Sequence, residues 1–176
     1  MCGDVSNAFS FKSGKKFDRA SITPYYNAAS YEKYTSGNVN LEKIDDVANI
    51  ILGGSWRMPT ATEFKTMCDA TYWAWDGTDK GYYVYTPNPS TDAGRCNDGT
   101  GSYDKSKALL FFPAAAYGSD SYSDHVGKYG LCWSSSLKSD ETTCAHDLYF
   151  SSTNVSPQDK GGRYSGLPVR PVKDAD

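Results

Sequence analysis

The chain has 176 residues, 39% hydrophobic and 22% charged, a balance that supports one folded core and argues against global disorder. A net charge of −3 and a pI near 5.3 give no basis for sequence-independent nucleic-acid binding. No apolar run reaches the length of a membrane span, and the polar start MCGDVSN does not read as a signal peptide.

The expectation is one domain over residues 1–176, with 1–39 an N-terminal stretch of short strands and irregular backbone. There Val5, Phe9, Phe11 and Phe17 are the spaced apolar positions, with a turn at Ser13-Gly14-Lys15. The first helix is expected over Leu41 to Leu52. Leu41, Ile44, Val47, Ala48, Ile51 and Leu52 fall on one face, Asn40 is the candidate N-cap and Gly53-Gly54 the stop. Asp45-Asp46 then reads as a solvated pair on the polar face.

Thr60 followed by Glu63 is a capping box, which starts a second helix over about Ala61 to Cys68 with Phe64, Met67 and Cys68 inward. From Tyr72 the period changes to two. Tyr72 to Trp75, the turn Asp76-Gly77 and Gly81 to Tyr85 make a hairpin. Residues 87–107 read as a long loop. Ala108 to Pro113 is all apolar and reads as the most buried strand. Residues 118–130 form another polar loop. The last third, Gly130 to Val172, alternates strand-like pieces around Trp133, Leu148 to Phe150 and Val169 to Val172 with polar segments at Lys138–Thr143 and Ser156–Gly162. This order gives an α+β fold: two helices packed on a small, twisted, mostly antiparallel sheet with long loops.

No pattern of a reaction centre is present. The five cysteines, Cys2, Cys68, Cys96, Cys132 and Cys144, contain no CxxC, so they read as mostly reduced and buried. Cys132 with Cys144 is the pair to test if the chain works in an oxidising compartment, and Cys2-Gly3 is compatible with a lipid-modified start. The two histidines, His125 and His146, lie in no metal-binding pattern. Ser134-Ser135-Ser136 lacks the GxSxG elbow of a serine nucleophile. Arg163 and Arg170, among apolar neighbours, read as structural clamps. Tyrosine, at 14 residues, suits a half-buried sheet or an adaptable recognition surface.

Four ordered motifs carry a resemblance. They are Gly53-Gly54-Ser55-Trp56-Arg57-Met58-Pro59-Thr60-x-x-Glu63-Phe64, Leu110-Phe111-Phe112-Pro113-Ala114-Ala115, Gly130-x-x-Trp133-Ser134-Ser135-Ser136 and Arg163-Tyr164-x-Gly166-x-x-Val169-Arg170-Pro171-Val172. From about residue 40 onward the chain resembles the Fibrobacter succinogenes major paralogous domain family. It is also similar to the variable proteins diversified by diversity-generating retroelements. The resemblance implies a C-type-lectin-like fold whose 130–172 segment is the variable, ligand-binding part. Trp133, Arg163, Gly166 and Arg170 would be scaffold. Lys138, Asp140, Glu141, Thr143, His146, Asp147, Gln158, Asp159, Lys160, Tyr164 and Leu167 would be the exposed, changeable set. Lys, Glu and Gln do not arise from an AAC codon by changes at adenines alone. Lys138, Glu141, Gln158 and Lys160 therefore descend from other codons or are not variable.

The implied function is non-enzymatic binding of a protein or glycan receptor at a cell or phage surface. Nucleic acid, a membrane span, a metal and a cofactor are not expected. Ser156-Pro157-Gln158 and Trp133-Ser134-Ser135 replace the carboxylate and amide ligands with which C-type lectins hold calcium. Two rivals remain: a cysteine oxidase of the formylglycine-generating type, using Cys132 or Cys144, and a purely structural appendage domain.

Overall fold

The computed structural model describes residues 40–86, 104–117, 125–141, 143–163 and 165–174, and the backbone alone at 9–10, 16–17 and 96–97. In chain order the elements are β1 (Phe9–Ser10), β2 (Lys16–Phe17), α1 (Val47–Leu52), β3 (Trp56–Arg57), α2 (Ala61–Ala70), β4 (Tyr72–Asp76) and β5 (Gly81–Tyr85). They continue with β6 (Cys96–Asn97), β7 (Leu110–Pro113), β8 (Tyr129–Leu137), β9 (Cys144–Ser151), β10 (Asn154–Gly162) and β11 (Val172–Lys173). The architecture is α+β, as expected. One sheet has the order β6-β4-β5-β7, a second the order β10-β9-β8, and two-stranded ribbons join β1 to β2 and β3 to β11. The turn Ser13-Gly14-Lys15 and most of the 87–107 loop lie outside the described residues.

Helix α2 forms where the capping box places it. The Thr60 hydroxyl accepts from the Glu63 amide, and the Glu63 carboxylate accepts from the Thr60 amide at 2.7 Å. Arg57 closes the same corner. Its guanidinium donates to both Glu63 oxygens, at 2.8 and 2.6 Å, and through Nε to Asp174 at 2.8 Å. The bond from Arg57 is the main cause that holds the Glu63 carboxyl down at about 2. Phe64 and Cys68 then point into the main core with Trp73, Tyr82, Val84, Phe112, Leu148 and Phe150. Trp73 stacks on Phe112 at 5.0 Å, and Tyr82 meets Phe150 edge-on at 5.8 Å.

Helix α1 is shorter than its periodicity predicts. It spans only Val47–Leu52, and Ile44, Ile51 and Leu52 are exposed at 72%, 47% and 49%. The cause is Asp46. This residue is not a solvated charge: it is 4% exposed, and its Oδ1 accepts from the Ala48 and Asn49 amides. Its Oδ2 accepts from the Met58 amide at 2.8 Å. A carboxylate with three amide partners caps a helix more strongly than a continuing turn competes for it, so the helix starts at residue 47. Asn40 instead bridges to Ser136. Gly53 ends α1 at φ 69°, where a side chain would be strained.

Three further expectations change. The apolar 108–113 run gives β7, an edge strand rather than the most buried one, because the β4–β5 hairpin occupies the sheet centre and Leu109 stays 58% exposed. Ser156–Gly162 is not a polar loop but most of β10, a nine-residue strand. An edge strand needs no apolar alternation, and Pro157 sits where the register shifts between Ser156 and Asp159, so its missing N–H breaks no regular ladder. The chain end pairs only at Val172–Lys173, against Arg57 and Trp56, while Val169 packs in the cluster around Trp133.

Replacing Asp46 by Ala leaves the buried Met58 amide without its acceptor and removes the cap. A loss of about 2–4 kcal/mol is expected in urea unfolding, with Asp46→Asn intermediate because an amide offers one acceptor oxygen.

Candidate functional site

The β8–β9–β10 sheet carries the 130–172 segment. Cys132 faces Leu148 and Gly130 faces Phe150 in the register, so these four side-chain positions meet the main core. The opposite face carries Trp133 across from Asp147, with Ala145 beside them. Trp133 and Ala145 pack with Ala48 and Met58, and Leu167 and Val169 close the same cluster. The middle of this sheet is covered on both sides.

The serine run after Trp133 is structural. Ser134 donates to the His146 carbonyl at 2.6 Å, and the Ser135 amide donates to the Pro59 carbonyl at 2.8 Å. The Ser136 hydroxyl accepts from the Ala61 amide at the start of α2 and donates to the Asn40 side chain. The three side chains satisfy backbone groups where β8 is irregular. Arg170 is a clamp: it donates to the Phe111 carbonyl at 2.9 Å and lies over the Phe112 ring at 5.2 Å.

The expected changeable residues divide into three groups. Lys138, Asp140, Glu141 and Lys160 meet at the β8–β9 turn, with Thr143 exposed among them. Lys138 pairs with Asp140 and Lys160 with Glu141, each at 2.6 Å. Those bonds hold the Asp140 and Glu141 carboxyls below their usual range and Lys160 above its own. The two pairs cancel their charges, so this patch presents donors and acceptors without a net field. Gln158 is exposed on β10. His146 sits opposite Lys160, half-buried, with Nδ1 3.2 Å from the Asp159 carbonyl.

Asp147 and Leu167 correct the expectation of exposure. Leu167 is half-buried in the Trp133 cluster. Asp147 is 1% exposed, and neither of its oxygens has a hydrogen-bond partner. Both faces of β9 are covered here, so a polar residue in strand alternation is enclosed whichever way it points. Its cross-strand neighbour is Asp159, half-buried. Burial first, then the Asp159 charge, pushes the Asp147 carboxyl up to about 7. Tyr164 lies outside the described residues.

Cys132 and Cys144 are free thiols. Cys132 faces Leu148, four residues along β9 from Cys144, or about 13 Å at strand spacing, too far for a disulfide. Burial pushes the Cys132 thiol up to about 12, and burial followed by the Glu141 bond raises Cys144. Neither environment favours a thiolate. Among the described residues, no three His, Cys, Asp or Glu side chains gather into a metal-holding group. No described helix is long and apolar enough to cross a membrane.

Sequence reasoning missed one feature. Tyr117, Tyr129 and Tyr149 form a half-buried strip, with ring centroids 6.2 and 5.9 Å apart, and His125 lies 5.0 Å from Tyr129. The abundance of tyrosine was its only signal. Compared with protein-family models, curated proteins and solved structures, the chain gave no match.

Gly161 offers a direct test of the covered face. A Cβ there would lie 2.8 Å from Asp147 Oδ2 and 2.9 Å from Trp133 Cη2. Gly161→Ala should therefore cost about 1–3 kcal/mol in thermal or chemical unfolding, although it adds one methyl to a strand.

Proposed function

We propose that the chain is a non-enzymatic recognition module. On this reading it has a C-type-lectin-like scaffold, and its C-terminal segment presents a ligand surface of the kind that retroelement-diversified variable proteins display. The observation that carries the proposal is the division of residues 130–172. Trp133, Ala145, Leu148, Phe150 and Arg163 are buried and hold the sheet, while Asp140, Thr143, Gln158 and Lys160 are exposed at its turn and edge, with Lys138 and Glu141 half-buried beside them. Loops on a rigid sheet are where side chains can change without altering the fold. The resemblance motifs support the scaffold reading, since two of them meet in space. Arg57 of the first pairs with Val172 of the last.

The polar patch suits a receptor recognised through hydrogen bonds and exchangeable ion pairs. The tyrosine strip adds rigid, amphipathic rings of the kind that protein and glycan surfaces favour. The partner is then a protein or glycan on another surface, with the chain itself exposed on a bacterial cell or phage virion. An oxidase of the formylglycine-generating type has less support, because its candidate thiols sit where ionisation is disfavoured.

The experiment replaces Lys138, Glu141, Thr143, Gln158 and Lys160 together with Ala or Ser. The parent and the variant are then screened against glycans and cell-surface proteins. The melting temperature should stay within about 3 °C of the parent while binding is lost or redirected. A large drop in melting temperature, or a parent that binds nothing in either screen, would count against the proposal.

A further inference from the structure

We propose that Asp147 is a proton-operated latch on the β9–β10 ladder, sealed beneath Gly161 and Trp133 when neutral and loosening β10 when ionised. The geometry carries this. The carboxyl is 1% exposed, and among the described residues neither oxygen accepts a hydrogen bond from a basic group or any other donor. An ionised carboxylate in such a place has lost its water and gained nothing, whereas the neutral acid is tolerated. The backbone of Gly161 on β10 is the lid, close enough that an added Cβ would touch Asp147 Oδ2 and the Trp133 ring together.

Burial and the nearest charge push the carboxyl the same way, while Arg163, the buried basic side chain just past β10 on the same face, makes no hydrogen bond to it. From β10 it meets Asp159, directly across the ladder, whose negative charge disfavours a second one. From β8 it meets the Trp133 ring; the nearby Cys132 thiol is raised first by burial, with Arg170 lowering it and Asp147 raising it. The elements packed over Trp133 contribute Ala48, Met58, Leu167 and Val169, all apolar. The acid on that side, Asp46, is already occupied by three amides. Lys160 and His146, the basic groups of the neighbouring registers, alternate to the opposite face.

The direction follows from linkage. The carboxyl titrates at 3.8 when unfolded and at about 7 in the fold. Between those values the open or unfolded state gives up the proton while the closed ladder retains it, so closure weakens as pH rises and reaches its lower limit above about 7. Because β10 carries Gln158 and Lys160, the latch would set how firmly that edge is held. Its readout is the sheet itself, so it stands whether or not the surface binds a receptor.

The test is amide hydrogen exchange on the full chain, corrected for intrinsic rates. Opening at Asp159 and Gly161 should rise at least about tenfold from about pH 5 to about pH 8, while amides in β4 and β5 change far less. Asp147→Asn should remove that dependence. Asp159→Asn should keep it but move it to lower pH. An unchanging wild-type ladder, or an Asp147→Asn chain with the wild-type dependence, would overturn the latch. If Asp147→Asn does not fold, the Asp147 carboxyl carbon is titrated by NMR in the wild-type chain. A midpoint above about 5.5 upholds the latch, and one at or below about 5.5 overturns it.

Discussion

The middle of the three-stranded sheet is buried on both faces, and that constraint decides most of what this molecule can do. One face meets the aromatic core around Trp73, Phe112 and Phe150. The other meets a smaller cluster built on Trp133, Met58, Ala48 and Ala145. Cys132, Trp133, Ala145, Asp147 and Leu148 are therefore enclosed. Freedom to vary survives only where the sheet ends: at the β8–β9 turn and along the outer edge of β10. Trp133 joins the parts. Its amide binds the Pro168 carbonyl, its indole N–H reaches the Ser165 carbonyl, and its ring lies against the cluster that holds α1 and β3.

Polar groups that look chemical in the sequence turn out to serve this enclosure. Arg57 and Glu63 tie β3 to the start of α2, and Asp174 adds the C-terminal end to the same guanidinium. Ser134, Ser135 and Ser136 repair the ladder where β8 is irregular. Asp46 draws α1 and Met58 together. Asp46 and the three serines sit where backbone groups need partners, and Arg57 adds a side-chain ion pair to Glu63 and Asp174. Asp147 departs from this pattern, a buried acid neither of whose oxygens has a hydrogen-bond partner.

What was legible in the sequence was local. The Thr60–Glu63 box and the 72–85 hairpin are specified by neighbouring residues, and both formed as read. Errors arose where distant contacts decide. The periodicity of 41–52 suggests a full helix, but an acceptor for the Met58 amide, twelve residues away, fixed the start at Asp46. Ser156–Gly162 has the composition of a loop, yet pairing to β9 makes it a strand, because an edge strand is held by its backbone. Of the expected surface residues, Lys138, Asp140, Glu141, Thr143, Gln158 and Lys160 lie at the turn or edge, while Asp147 and Leu167 are enclosed. Alternation along one strand cannot reveal that both of its faces will be covered.

A saturation scan of residues 130–172, read for folded yield and melting temperature, tests this division most directly. The account predicts broad tolerance at Lys138, Asp140, Thr143, Gln158 and Lys160. It predicts near-intolerance at Gly130, Trp133, Leu148, Phe150 and Gly161. At Gly130 an added Cβ would come within 2.2 Å of the Phe150 ring. Equal tolerance across both sets, or sensitivity concentrated at the turn and edge, would contradict it.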